Sequence, residues 1–187
     1  MPNNPSKQPS KPSSHAPNVV PAVRFSAPWG RQLKLITLLV SMVLFGVSAL
    51  LIAKAPEHPP TMYQIGILIP PLTFILSALF TVRGYELQND RLRIRRLGWS
   101  NRISLQDFSS ATYEPEATAG SIRLFGNGGL FSVTGLFRNQ KLGRYQAFVT
   151  DPAQSVVIRL KTRTLVVTPD RPQQFVSALA PYTDTDR

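Results

Sequence analysis

Two long apolar runs, Leu33 to Ala53 and Ile65 to Val82, constrain this chain more than any other feature, and only residues 54–64 separate them. The first run carries one charge, Lys34 at its edge. Beyond it only Thr37, Ser41 and Ser48 have polar side chains. At about 1.5 Å per residue such a helix matches a hydrocarbon core of roughly 30 Å. A soluble amphipathic helix would show a polar stripe every three or four residues, and none is visible. The second run, flanked by Tyr63 and Arg83, holds no internal charge. An aromatic ring and a snorkelling cation both suit membrane interfaces. The runs therefore predict a transmembrane hairpin: helices over 33–53 and 65–82 joined by an external loop over 54–64.

Pro70 and Pro71 interrupt the second run and predict a kink or a short non-α segment. Such a break could line a transport path or simply let two helices pack. The lack of charge inside either span favours packing. Ala53-Lys54-Ala55 resembles a signal-peptidase site, but Pro56 would follow the cut and a second apolar run comes at once.

Lys7, Lys11, Arg24, Arg31 and Lys34 precede the first span, Lys54 alone occupies the loop, and Arg83, Arg91, Arg93, Arg95 and Arg96 follow the second. Counting cations near the span ends places both termini in the cytoplasm of a bacterial inner-membrane protein. The formal charge of +11 follows the same division: the first 34 residues are purely basic, whereas residues 84–187 hold fourteen cations against nine anions. Positive charge of this kind is explained by topology and anionic lipid, and its sparse spacing does not point to nucleic acid. Residues 1–30, rich in Pro, Ser and Asn, read as a disordered basic tail, and 182–187 as a disordered end.

From Gly84 the text becomes short strand-like runs. Tyr85 to Gln88, the pair Asn89-Asp90 and Arg91 to Arg95 form a hairpin in which charged and apolar residues alternate. Further runs follow at Arg102 to Leu105, Phe108 to Glu114, Ser121 to Phe125, Phe131 to Thr134 and Tyr145 to Val149. A hairpin spans Val156 to Leu160 and Leu165 to Thr168. The period then changes: Asp170 can cap a helix with Pro172 in its first turn and Phe175, Val176 and Leu179 on one face. The expected fold is the membrane hairpin plus a mainly-β domain of about seven antiparallel strands and one C-terminal helix.

This order resembles the bacterial pleckstrin-homology (PH) families that follow one or two membrane helices, over residues 84–181. The features that match are the Tyr85-to-Arg95 hairpin, the run Arg123 to Phe131, Gly135-Leu136-Phe137, and Val166 to Pro169 running into Phe175 and Leu179. The resemblance implies a PH-like binding domain. It does not extend to the eukaryotic phosphoinositide pattern, because the first hairpin loop is the tight Asn89-Asp90 pair and the closing helix carries Phe175 in place of a tryptophan.

Arg91, Arg93 and Arg95 share one strand face and are candidates for a lipid headgroup or a protein partner; a solvated strand face is the plainer alternative. Leu130, Phe131, Leu136 and Phe137 are a candidate partner surface, with core packing or membrane contact as alternatives. Gly126, Gly128 and Gly129 do not match a phosphate-binding loop and fit a turn or bulge. The chain has no cysteine, and His15 and His58 lie in the tail and the loop. No nucleophile–base pair, metal set or cofactor is expected. The expected activity is therefore non-catalytic: a membrane-anchored module that meets lipids and recruits or assembles with a protein partner. An anionic-lipid sensor and an accessory subunit of a membrane enzyme or transporter are the alternatives.

Overall fold

The computed structural model describes residues 22–184. Strand β1 (Val23–Ser26) comes first, followed by helices α1 (Arg31–Ala53) and α2 (Thr61–Leu79). The domain then runs through β2 (Val82–Gln88), β3 (Arg91–Arg96), β4 (Ser100–Ser104), β5 (Phe108–Tyr113), β6 (Ile122–Gly128), β7 (Val133–Asn139), β8 (Gly143–Val149), β9 (Val156–Leu160) and β10 (Thr164–Val167), and closes with α3 (Pro172–Leu179). Both α1 and α2 are long and apolar enough to cross a membrane, and few of their residues are fully buried within the protein.

α2 starts four residues earlier than expected and runs unbroken through Pro70 and Pro71, so the predicted non-α segment does not form. A proline at position 71 cannot donate to the carbonyl of Ile67, four residues back. The Ser48 hydroxyl of α1 donates to that carbonyl instead, at 3.1 Å. The helix keeps its path because its neighbour satisfies a group that proline frees. Tyr63 adds a second tie, donating to the Leu51 carbonyl at 2.6 Å.

Among the described residues ten strands form two sheets, ordered β1-β2-β3-β4 and β5-β9-β10-β8-β7-β6, against the expected number of about seven. One of the additional strands, β1, lies in the stretch read as tail: Val23 to Ser26 pair antiparallel with Leu87 to Gly84, and Phe25 is buried. The disordered reading is thus corrected from Val23 onward, and residues 1–21 lie outside the described part. At the other end the disordered reading is corrected for residues 182–184, since Tyr182 packs against the core, and residues 185–187 lie outside the described part. Pairing is antiparallel with one exception, β10 against β8. The β9–β10 hairpin inserts between β5 and β8, so its second strand returns alongside β8 in the same direction.

The turn of the β2–β3 hairpin is the predicted Asn89-Asp90, with φ of 47° and 55°. Two successive positive angles match the twist of the flanking strands. Asp170 does not cap α3. Arg171 occupies the N-cap position, and the Asp170 carboxylate accepts from the Ser26 amide at 3.2 Å. Phe175 and Leu179 nevertheless point inward as predicted.

The main core lies between the sheets under α3, and a smaller one covers the other face of the second sheet around Phe137, Tyr145 and Val166. Burial on both faces explains the consecutive apolar residues Val156 to Ile158 of β9 and Leu165 to Val167 of β10. Inside the main core Tyr85 donates to the Phe148 carbonyl at 2.6 Å and accepts from the Thr168 amide at 3.1 Å, tying the first sheet to the second. Desolvation pushes the Tyr85 phenol up to about 12. Above pH 10 an unfolded tyrosine loses its proton while this one keeps it. Tyr85 therefore stabilises the fold fully below pH 10, and that contribution is lost as pH rises toward 12. The expected slope is about 1 kcal/mol per pH unit. Urea melts between pH 9 and 12 should show it, and Tyr85→Phe should flatten it while costing about 1–3 kcal/mol at neutral pH.

Candidate binding surface

The outward face of the first sheet is built by strand alternation. Where Leu92 and Ile94 of β3 point inward, Arg91, Arg93 and Arg95 point out, as the sequence predicts. Register brings more residues to the same face. Arg24 sits opposite Glu86, Glu86 opposite Arg93, and Arg93 opposite Arg102. The face thus carries Arg24, Arg91, Arg93, Arg95 and Arg102 around one carboxylate.

That carboxylate is enclosed by its neighbours: Glu86 accepts from Arg24 Nε at 3.2 Å and lies 3.9 Å from an Arg93 nitrogen. Arg93 also donates through Nε to the Ser100 hydroxyl at 2.9 Å. These contacts hold Arg24 and Arg93 in place without neutralising the face. Arg91, Arg93 and Arg102, with Gln88 and Asn89, line a shallow depression of about 410 Å³. Planar guanidinium groups gathered there can hold carboxylate or phosphate oxygens in paired hydrogen bonds.

Arg96 ends the same strand but has a different role. It donates to the Phe80 carbonyl at the end of α2 and, through Nε, to Asn101 at 2.9 Å. Its guanidinium lies 5.5–5.7 Å from the ring centres of Phe80, Trp99 and Phe148. Desolvation lowers its pKa from the ordinary arginine value. Arg96 therefore fixes the strand to the helix. From there to Arg91 the strand extends about 17 Å, so the depression lies at the end remote from the helices.

The second predicted surface does not come together. Phe137 is buried beside Tyr145 in the smaller core, so it offers nothing to a partner. Leu136, its strand neighbour, points to the opposite face and is exposed. Phe131 packs against Trp29 at 5.9 Å and Phe74 at 5.0 Å, between domain and helices. Leu130 is half-buried in the loop before β7, where its carbonyl accepts from Asn127 at 2.6 Å. Strand alternation and a left-handed backbone at Phe131, φ 66°, send the four residues in different directions.

Gly126 and Gly128 lie inside β6, so the strand does not end at Phe125 as expected. Gly126 pairs with Gly135, and a side chain on Gly126 would strike the Thr134 carbonyl. The glycines serve close strand approach and are not gathered as a phosphate cradle. Among the described residues no group of three or more His, Asp or Glu side chains converges.

Arg24, Glu86 and Arg102 were missed as members of the candidate site. Arg102 alternates with Ile103 and carries a signal, whereas Arg24 joins the face through a pairing across the whole membrane hairpin.

The bacterial PH domain family matches residues 83–181, and the chain belongs to that family. No curated protein and no solved structure matches it.

Proposed function

We propose that the chain is a membrane-anchored, non-catalytic binding module that presents the arginine face of its PH-like domain to an acidic protein partner at the cytoplasmic side of a bacterial inner membrane. The observation that carries this reading is the face itself, five arginines around one enclosed carboxylate. The excess of cations at both span ends supports the orientation.

Distance favours protein over lipid as the main target. Surface charges are screened within roughly 8–10 Å. Arg91 lies about 17 Å along the strand from the helix junction, beyond the reach of headgroups if the strand leads away from the bilayer. Arg95, nearest the junction, supports a weaker lipid contribution.

The test is crosslinking capture from native membranes with the full chain and with an Arg91→Gln, Arg93→Gln, Arg102→Gln variant. Capture of a specific acidic protein is expected to fall at least tenfold in the variant and to weaken with salt. The same pair is compared for headgroup contact in vesicles with and without phosphatidylglycerol. Unchanged capture together with a loss of headgroup contact would move the function to lipid sensing.

A further inference from the structure

The domain overlaps the helices by an amount that is hard to reconcile with a module hanging free in water. On α1, the Thr37 hydroxyl donates to the Gly129 carbonyl at 3.4 Å and accepts from the Phe131 amide at 3.2 Å. Thr37 lies about 9 Å along the helix from Arg31. On α2, Thr73 and Leu76 share a groove of about 540 Å³ with Phe125 and Phe148 of the domain. Thr73 likewise lies about 9 Å before the helix end at Leu79. The part of α2 outside this overlap, Thr61 to Thr73, is only about 18 Å long, against a hydrocarbon core of roughly 30 Å. For α2 to span, the level of Thr73 to Leu79 must itself lie in lipid.

The domain surface at that level is built for such a position. β6 is the edge strand of its sheet, and its register shifts between Arg123 and Phe125. The bulge leaves Leu124 and Phe125 together opposite Leu136. These three are 46%, 79% and 40% exposed. An apolar patch in water beside an apolar helix would be unfavourable, in proportion to its exposed area. Thr73 and Leu76 of α2 and Phe125 line one groove, together with the polar Arg96, Asn101, Arg123 and Gln146, so an occupant that covers this side of α2 also meets Phe125.

We propose that the β6–β7 edge is a membrane-contact site, with Leu124, Phe125 and Leu136 embedded among the upper acyl chains of the leaflet on the domain's side. Arg96 marks its aqueous limit, stacked at the end of α2. This inference rests on the reading that both helices cross the bilayer. It makes the domain a partly inserted body with a fixed orientation, which leaves the far end of the arginine face directed at the cytoplasm.

The chain has no native cysteine, so single labels can be placed cleanly. Full-length Phe125→Cys, Arg91→Cys and Leu68→Cys proteins would each carry an environment-sensitive fluorophore. They would be reconstituted in phosphatidylcholine vesicles containing a minority of phosphatidylglycerol. Lipids bearing nitroxides at shallow and at deep positions of the acyl chain then serve as quenchers. Position 125 is expected to be quenched several-fold more than position 91 and about as strongly as position 68, on the exposed side of α2. Strong quenching at 68 with none at 125 would overturn the contact site alone. No quenching at 68 would remove the spanning helices and the inference with them. A label at 125 shielded from aqueous iodide yet untouched by the nitroxide lipids would mean that protein covers the edge, and would also overturn it.

Discussion

Replacing Phe175 with alanine is expected to destabilise the domain by about 3–5 kcal/mol, the largest stability effect of any single change considered. Phe175 is fully buried. Its ring meets Phe25 edge-on at 5.0 Å and Tyr85 at 6.1 Å, so it joins α3 to the first two strands of one sheet. Truncation removes the burial of the ring and two aromatic contacts, and it leaves a cavity that rigid strands cannot collapse to fill. Val176, on the same helix and only partly buried, provides the comparison. Val176→Ala should cost less than about 1.5 kcal/mol. Denaturant melts of the full chain in detergent would measure both. Equal losses would mean that α3 does not plug the core through Phe175.

Phe175 also shows how far the sequence could be read. Its helical spacing with Leu179 and the proline ahead of it were enough to place the helix and its buried face, because both signals are local. The β2–β3 hairpin was legible for the same reason: alternation and an Asn-Asp pair specify strand, turn and strand within a dozen residues. Phe25, the partner of Phe175, was not legible. Four residues are too few to show a period, and a proline- and serine-rich flank hides them. Strand β1 acquires its identity only by pairing with β2, some 60 residues later and across two helices. The arginine face divides in the same way. Arg91, Arg93 and Arg95 follow from alternation in one strand and Arg102 from alternation in the next, whereas Arg24 is added by a register that no local pattern encodes. Leu130, Phe131, Leu136 and Phe137 form no single patch because strand parity, which composition does not carry, sends Leu136 and Phe137 to opposite faces.

Phe131→Ala should uncouple the domain from the helices while leaving the domain itself folded. The Phe131 backbone sits at φ 66°, in the left-handed region. For a bulky residue this costs about 1–2 kcal/mol. The cost persists because the position directs the ring between Trp29 and Phe74, and Phe74 in turn meets Phe45 of α1 at 5.0 Å. Two ring contacts contribute about 0.5–1.5 kcal/mol each beyond burial. Alanine keeps the backbone strain and loses the rings, so docking should weaken by about 2–3 kcal/mol. The Thr37 hydrogen bonds to the same loop, at about 1 kcal/mol each, then hold the joint together with the Arg96 and Ser132 bonds to the Phe80 carbonyl. Trp29 is the natural reporter once Trp99 is replaced by phenylalanine. In the Phe131→Ala protein its emission should shift to the red and its quenching by acrylamide should rise several-fold, whereas Phe125→Ala should leave both unchanged. A Trp29 signal indifferent to Phe131 would mean that the helix–domain joint is held elsewhere. The overlap that lowers the β6–β7 edge into the bilayer would then lose its anchor.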